Sequence, residues 1–422
     1  MLLTLGALAV LLMIGVPTAY ALAGSALLAI WWDGIPLTVA AQRIAAGVQS
    51  FPLLAIPLFI LAGTLMNASG ISERLFDLTR ALVGHIRGGL AQVNVLANVF
   101  MAGVSGSSLA DAAATTRVFV PQMVKNGYDK AFSVALTAAA ATLAPIIPPS
   151  ILLVVYGWQA NVSIGSLFIA GILPGLFIAA CLFGVVAVIA RVKGYARGEP
   201  FSGARLRTSF RQAIWALLMP VIIVVGFRLG VFTATEVAAV AAGYAFIVGV
   251  FVYGTVRFAD LPSILAQTAR DTASILIIVA TSAPFAWVLS INQAPQQLLQ
   301  LITGISENPW AVLLMLNVLL LFIGMFMETI AVIIILIPVL MPLLTTLQID
   351  LVHFGILMIV NLVIGQITPP LGVLMYVTCA ISRTSLGRFL VAVMPFLGVL
   401  IVALLVITYV PAISLLLPGL IR

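Results

Sequence analysis

The chain has 422 residues, of which 63% are apolar and 7% charged, and its mean hydropathy is +1.26. A soluble domain carries about 25% charged residues, so this composition excludes a water-soluble globule and describes an integral membrane protein. The net charge of +7 lies in short basic loops that read as topology signals rather than as a nucleic-acid surface, and Cys181 and Cys379, both within apolar runs, exclude a disulfide framework or a zinc site.

In chain order, Met1–Met13 reads as a short partial crossing broken at Gly15-Val16-Pro17, with the N-terminus outside. The alternative is one long tilted helix from Leu2 to Trp32 with the N-terminus inside. This stretch has neither a basic leading region nor an A-x-A-like cleavage site, so it is expected to be retained. At ~20 residues per crossing the apolar runs accommodate roughly ten or more spans. Segments Ser72–Gly84 and Phe258–Arg270 alternate charged and apolar residues and read as amphipathic helices at the interface, in equivalent positions of two repeats.

Three segments are basic: Ser72–Arg87, Arg117–Lys130 and the longest polar interruption, Arg191–Arg211. The positive-inside rule makes all three cytoplasmic. Tyr156–Ser166, Asn292–Pro309 and Thr345–Asp350 contain no Lys or Arg and are expected on the other side. The stretch Gly88–Pro121 then has both flanks in the cytoplasm, and a Gly/Ser cluster, Gly103–Ser108, lies in its middle. Such a cluster interrupts a helix, so residues 88–121 are read as a re-entrant hairpin. Residues 310–342, centred on Gly324–Thr329, form a second hairpin of opposite orientation.

Sliding the chain by 221 residues pairs Gly103 with Gly324, Pro121 with Pro342, Asp129 with Asp350, Pro148-Pro149 with Pro369-Pro370, and Pro174 with Pro395. Over residues 103–176 only 13 of 74 positions are identical, but four of five prolines coincide, and that coincidence carries the inference of an internal duplication. The expected fold is an all-α integral membrane protein built as an inverted structural repeat, residues 1–210 and 211–422. Each repeat contributes scaffold helices, a hairpin and a broken helix, 130–157 in the first and 351–381 in the second.

Chemistry is expected where polar atoms interrupt the apolar runs. Ser105, Ser107 and Ser108 offer hydroxyl oxygens and the backbone near Gly103 offers carbonyls, a hard-oxygen set suited to an alkali cation. The same residues would also serve as a small-residue packing face. Glu328 is an intramembrane carboxylate, either functional or a cap on the returning half-helix. The diproline segments Ala144–Ser150 and Gly365–Pro370 remove N–H donors, free carbonyls for cations, and expose half-helix N-termini that attract anions. Asp111 and Arg117 are six residues apart and cannot face each other; Asp111 either braces the Ser-rich tip or lies on a solvated face. Thr233 and Glu236 fit a capping box, Met325 and Met327 read as packing, and His85 and His353 are loop-end residues without metal-ligand spacing. Walker A, GxSxG and HExxH patterns are absent from the sequence, so no enzyme activity and no cofactor beyond a coupling ion is expected.

The strings Met101–Ala114, Ala144–Ser150, Gly324–Leu336 and Ile364–Gly372, in that order, resemble the large membrane subunit of tripartite ATP-independent periplasmic (TRAP) transporters. Phe51–Gly63 and Gly230–Ala239 are similar to further recurrent strings of that family. The resemblance implies an elevator-type carrier in a bacterial inner membrane, driven by sodium and importing a small organic carboxylate such as a C4-dicarboxylate or sialate. It also implies two partners, a periplasmic substrate-binding protein and a small four-helix membrane subunit, the latter expected as a separate chain. By the same resemblance, sodium would be held by Gly103, Ser105, Ser107, Pro145 and Pro148 in one half and by Gly324, Met327, Thr329, Gly365 and Thr368 in the other. Ser108, Glu328, Ser150, Pro149 and Pro370 would face the substrate. A stand-alone sodium–carboxylate symporter is the alternative.

Overall fold

A chain segment within hydrocarbon must satisfy its own backbone, which leaves the helix or the closed barrel. In a computed structural model describing residues 2–228 and 232–421, the apolar runs take the helical solution throughout. Among the described residues the only extended pairing is an isolated bridge between Arg87 and Arg197. Gly230 and Val231 of the string Gly230–Ala239 lie outside the described residues, as do Met1 and Arg422.

The first half comprises α1 (Leu2–Met13), α2 (Thr18–Trp32), α3 (Thr38–Val48), α4 (Ala55–Ala68), α5 (Ile71–Val83), α6 (Gly89–Ser105), α7 (Ser108–Lys125), α8 (Lys130–Ala141), α9 (Ile151–Gln159) and α10 (Ile164–Val192). The second comprises α11 (Gly203–Arg228), α12 (Ala234–Ile247), α13 (Leu261–Ile291), α14 (Ala294–Ile305), α15 (Pro309–Gly324), α16 (Thr329–Thr346), α17 (Leu351–Gly365), α18 (Val373–Ser382), α19 (Leu386–Tyr409) and α20 (Ala412–Ile421). Moved by 221 residues, the starts of α6 to α10 fall within one residue of the starts of α15 to α19, and those of α7 and α8 coincide with α16 and α17. Seven described helical segments are long and apolar enough to cross a membrane, and shorter apolar helices form the hairpins and half-helices.

The caps follow the duplication. Asp129 accepts a hydrogen bond from the Phe132 N–H (2.8 Å) at the start of α8, and Asp350 accepts from His353 N–H (2.9 Å) at the start of α17. Side-chain oxygens at such positions satisfy donors that the helix leaves open. Thr233 and Glu236 form the expected capping box on α12, with the Thr233 N–H 2.7 Å from Glu236 Oε2.

The start of α8 lies beside the end of α18, where Lys130 Nζ donates to the Arg383 carbonyl (3.3 Å). The start of α17 lies beside the end of α9, where the Tyr156 hydroxyl donates to the Leu351 carbonyl (2.6 Å). The two broken helices therefore run in opposite directions. Around them α4 packs on α12 and α13 packs on α2 and α3, so helices of one half pair with helices of the other.

Three expectations are corrected. Phe258–Arg270 is not a separate interfacial helix: after a single turn at Phe258–Asp260 it continues as α13, which is 31 residues long. No Pro or Gly stands between Arg270 and Leu276 to stop it, whereas the first half is interrupted between α3 and α4 at Pro52. Its 221-residue counterpart is α3, and the counterpart of the amphipathic α5 is α14. The hairpin arm α7 runs past Pro121, which lies inside the helix, to Lys125. His353 is no loop-end residue but a buried member of α17, its Nδ1 2.6 Å from Ser414 Oγ. At the N-terminus α1 and α2 are distinct helices packed on each other and separated at Gly15 (φ +84°) and Pro17.

Candidate functional site: convergence of two hairpin tips on two helix breaks

The break in the first hairpin is narrower than Gly103–Ser108. Gly103 is helical, within α6, and a Cβ there would meet the Pro220 ring of α11 at 3.2 Å. The chain turns at Gly106 (φ +61°), a left-handed conformation that favours glycine. Ser105 Oγ accepts the Ser107 N–H (3.3 Å), and Ser107 caps α7 by accepting the Ala110 N–H (3.4 Å). The carbonyls of the last turn of α6 are thus left without continuing helix. A Cβ on Gly106 would lie 2.4 Å from the Pro149 carbonyl oxygen, so the tip rests on the first diproline break.

That break spans the residues between α8 and α9 and includes Pro145, Pro148 and Pro149, with a cis peptide bond between the last two. Ser150 caps α9: its hydroxyl donates to the Pro145 carbonyl (2.5 Å) and accepts from the Leu153 N–H (3.2 Å). Ser150 is fully buried, and both hydrogen bonds engage its hydroxyl within the break.

The second half repeats the arrangement with different side chains. Glu328 occupies the position 221 residues beyond Ser107 and plays the same part, accepting the Ala331 N–H (3.1 Å) at the start of α16. Met327 lies in the turn and packs against the core. Gly324 ends α15, and a Cβ on Gly365 at the end of α17 would be 2.6 Å from its carbonyl carbon, so hairpin and broken helix touch through backbone alone. Thr368 donates to the Ile364 carbonyl (2.7 Å), and the exposed Pro370 accepts from the Tyr376 hydroxyl (3.2 Å). The Pro369-Pro370 bond is cis, like its counterpart. Unlike α9, α18 has no side-chain cap: its N-cap residue is Gly372.

One side chain bonds both hairpin tips. Gln366, in the second break, accepts from the Ser108 hydroxyl at 2.7 Å and donates through Nε2 to Thr329 Oγ1 at 2.7 Å. Ser108 and Thr329 are themselves 221 residues apart, the first residues of the two returning arms. Both hairpin tips therefore meet at a single amide. Its signal in the sequence is an amide side chain immediately before Ile367-Thr368-Pro369-Pro370, within the segment Gly365–Pro370 that is read above for its prolines and carbonyls alone.

Behind the tips, buried amides bind each hairpin to its own broken helix. Asn94 donates to Thr137 (2.7 Å) and Asn98 donates to Asn94 (3.0 Å) in the first half. Asn361 donates to Asn317 (2.8 Å), which donates to Thr408 (2.9 Å), in the second. Asp111 is 1% exposed, and neither carboxylate oxygen has a hydrogen-bond partner, so of the two readings offered for it the solvated face is excluded. Asn98 Oδ1 and Asn361 Oδ1 are likewise buried and unpaired. Unpaired buried oxygens are costly, and an all-oxygen set of hydroxyls, carbonyls and carboxylate is the donor chemistry an alkali cation takes.

Antiparallel broken helices, paired hairpins and cross-packed outer helices define a multi-pass membrane transporter fold. Its solved relatives in shape include the YdaH transporter of Alcanivorax borkumensis, with a TM-score of 0.68 at 17% identity over 89% of both chains. The MtrF efflux pump of Neisseria gonorrhoeae aligns with a TM-score of 0.61 at 12% identity, over 89% of this chain and 83% of that one. The family is more specific: residues 5–413 match the model described as "Tripartite ATP-independent periplasmic transporter, DctM component", and the chain belongs to that family. It is 43% identical to the C4-dicarboxylate TRAP transporter large permease protein DctM of Pseudomonas aeruginosa, over 88% of this chain and 87% of that one. It is 39% identical to the sialic acid TRAP transporter large permease protein SiaM of Vibrio cholerae, over 97% and 96%. A 2,3-diketo-L-gulonate large permease, YiaN of Escherichia coli, is 39% identical over 94% of both chains. Membership implies a tripartite system with a substrate-binding protein and a small subunit.

Proposed function

We propose that this chain is the large permease of a sodium-coupled, binding-protein-dependent importer of a small organic carboxylate in a bacterial inner membrane. The observation that carries the reading is the meeting of both hairpin tips at Gln366, beside two helix breaks and buried unpaired oxygens. In this reading residues 1–210 and 211–422 are inverted repeats, for which the antiparallel broken helices and the constant offset of α6–α10 from α15–α19 are the support.

The hairpins and broken helices form the moving body of an elevator, and α2–α4 with α11–α13 form its scaffold. Sodium ions bind where hydroxyls and end-of-helix carbonyls meet the diproline breaks, at the residues named from the sequence and at Asp111. The substrate carboxylate sits between the tips, near Ser108, Thr329 and Glu328, and the N-terminus of α18, which has no side-chain cap, is the half-helix end whose dipole attracts it. Gly324 and Gly365 keep hairpin and helix in backbone contact, so an ion bound there moves the tip directly. The carboxylate class rests on the names of the relatives, which carry C4-dicarboxylate, sialic acid and diketogulonate. A relative described as the isethionate permease DctMQ of Oleidesulfovibrio alaskensis matches over 66% of its own length and supports the small-subunit partner.

The test is uptake of labelled succinate and N-acetylneuraminate into proteoliposomes holding this chain and its small subunit, with the binding protein outside. Uptake of one of them that requires both an inward sodium gradient and the binding protein is expected. Uptake without the binding protein would replace the reading with a stand-alone symporter.

A further inference from the structure

Away from the hairpin tips, the three basic segments of the sequence meet around one cavity of about 530 Å³. Arg80 comes from α5, His85 from the α5–α6 turn, Lys125 from the end of α7, Arg197 from the α10–α11 connection and Arg205 from the first turn of α11. The loop is pinned there by the Gly88 N–H donating to the Ala196 carbonyl (3.1 Å), and His85 is held edge-on against Phe201 at 5.5 Å between ring centres.

The cavity is short of negative charge. Its single carboxylate, Glu199, is hydrogen-bonded to Arg205, which holds it below its ordinary pKa and keeps the pair ionic. Arg80 hydrogen-bonds the neutral Gln122 (2.6 Å) and feels Glu199 only through space, and among the described residues no carboxylate forms a salt bridge with Arg80, Lys125 or Arg197.

The same walls carry a second, chemically opposite hollow. Leu78 and Leu82 of α5, Phe100 of α6, and Leu206, Phe210 and Leu217 of α11 line an apolar groove of about 380 Å³, with Arg207 its one charge. Successive residues of α5 divide between the two, Arg80 and Ala81 to the cavity and Leu78 and Leu82 to the groove. The start of α11 divides in the same way, with Ser202 and Arg205 on one side and Gly203 and Leu206 on the other. Basic pockets between spanning helices on the cytoplasmic side bind lipid phosphates. A free phosphate would need the cavity alone and leave the groove without an occupant.

We propose that this cavity and groove together hold one anionic phospholipid, its phosphate among Arg80, Lys125 and Arg197 and an acyl chain along the groove between α5 and α11. The lipid would tie the base of the first hairpin, through Lys125, to the α10–α11 connection, through Arg197.

The test uses the whole permease complex, purified in detergent, stripped of lipid and titrated in separate arms with dioleoylphosphatidylglycerol, dioleoylphosphatidylcholine and inorganic phosphate. Retained lipid is read by native mass spectrometry. Phosphatidylglycerol should be retained and phosphatidylcholine lost. Lys125→Gln and Arg197→Gln should each weaken retention about fivefold, and together about thirtyfold. Phe210→Ser, at an exposed position of the groove, should weaken it as well without altering any charge. Arg257→Gln, outside both hollows, should change nothing. Equal retention of the two lipids, displacement of phosphatidylglycerol by millimolar phosphate, or indifference to the cavity or the groove substitutions would overturn the proposal.

Discussion

Replacing Gln366 by Ala removes the one side chain that, among the described residues, bonds both hairpin tips. Ser108 and Thr329 are 6% and 2% exposed, so water does not readily take the place of the lost partner. Each such bond contributes a net ~1 kcal/mol, and loss of both destabilises the closed arrangement of the tips by about 2 kcal/mol, or about thirtyfold. The assay is the initial rate of gradient-driven uptake for Gln366→Ala, Ser108→Ala, Thr329→Val and the doubles that combine each hydroxyl substitution with Gln366→Ala. The Gln366 variant should be slowed about thirtyfold and each hydroxyl variant about fivefold. Both doubles should be no slower than Gln366→Ala alone, because the hydroxyl has already lost its partner. Effects that simply multiply, with a coupling below about 0.5 kcal/mol, would refute the bridge as an energetic unit.

Asp111→Asn should cancel most of the stabilisation that added sodium gives the parent complex in detergent, since it removes a buried carboxyl whose oxygens have no hydrogen-bond partner; unchanged sodium stabilisation would remove Asp111 from the cation site. Glu328→Gln keeps an acceptor for the Ala331 N–H, whereas Glu328→Ala loses the cap at a cost of about 1 kcal/mol. If the charge serves transport, both slow uptake while only the Ala variant lowers the melting temperature. Gly106→Ala would combine a left-handed backbone with a 2.4 Å approach to the Pro149 carbonyl, and Gly365→Ala a 2.6 Å approach to backbone. Both should reduce the yield of folded protein sharply, while Gly387→Ala, with open space around it, should not.

Prolines and glycines made the frame legible in the sequence because they act through the local backbone. Pro145 with the diproline at 148–149, and the diproline at 369–370, break the helical runs that α8 and α17 begin, and the paired Asp129 and Asp350 start both helices by the same local capping. Polar side chains were harder to read because their roles depend on what packs against them. Gly103 carries no mark that distinguishes a turn from a close approach to Pro220, and the structure makes it the latter. Asp111 occurs among alanines and threonines that suit either face of a helix, and only the packing of α7 against α8 and α18 buries it. Gln366 needs both hairpins in place before it has partners. Phe258–Arg270 misled because charge alternation marks an amphipathic surface but does not end a helix.

The two halves share a backbone plan but not its charges. At the cap position the first half has Ser107 and the second Glu328; one turn into the returning arm the first has Asp111 and the second Val332. Each hairpin therefore brings one acidic residue near its tip, at a different depth. In the proposed cycle a cation beside each would leave the tips close to neutral, and an incoming organic carboxylate would meet hydroxyls and helix N-termini rather than like charge. Without the cations it would face two acidic groups in a medium where charges are weakly screened. This asymmetric pair orders the events, cations before substrate, and a sodium-free complex should accordingly fail to bind the labelled acid at all. Measurable binding in potassium alone, with unchanged affinity, would break that order and with it the electrostatic basis for coupling.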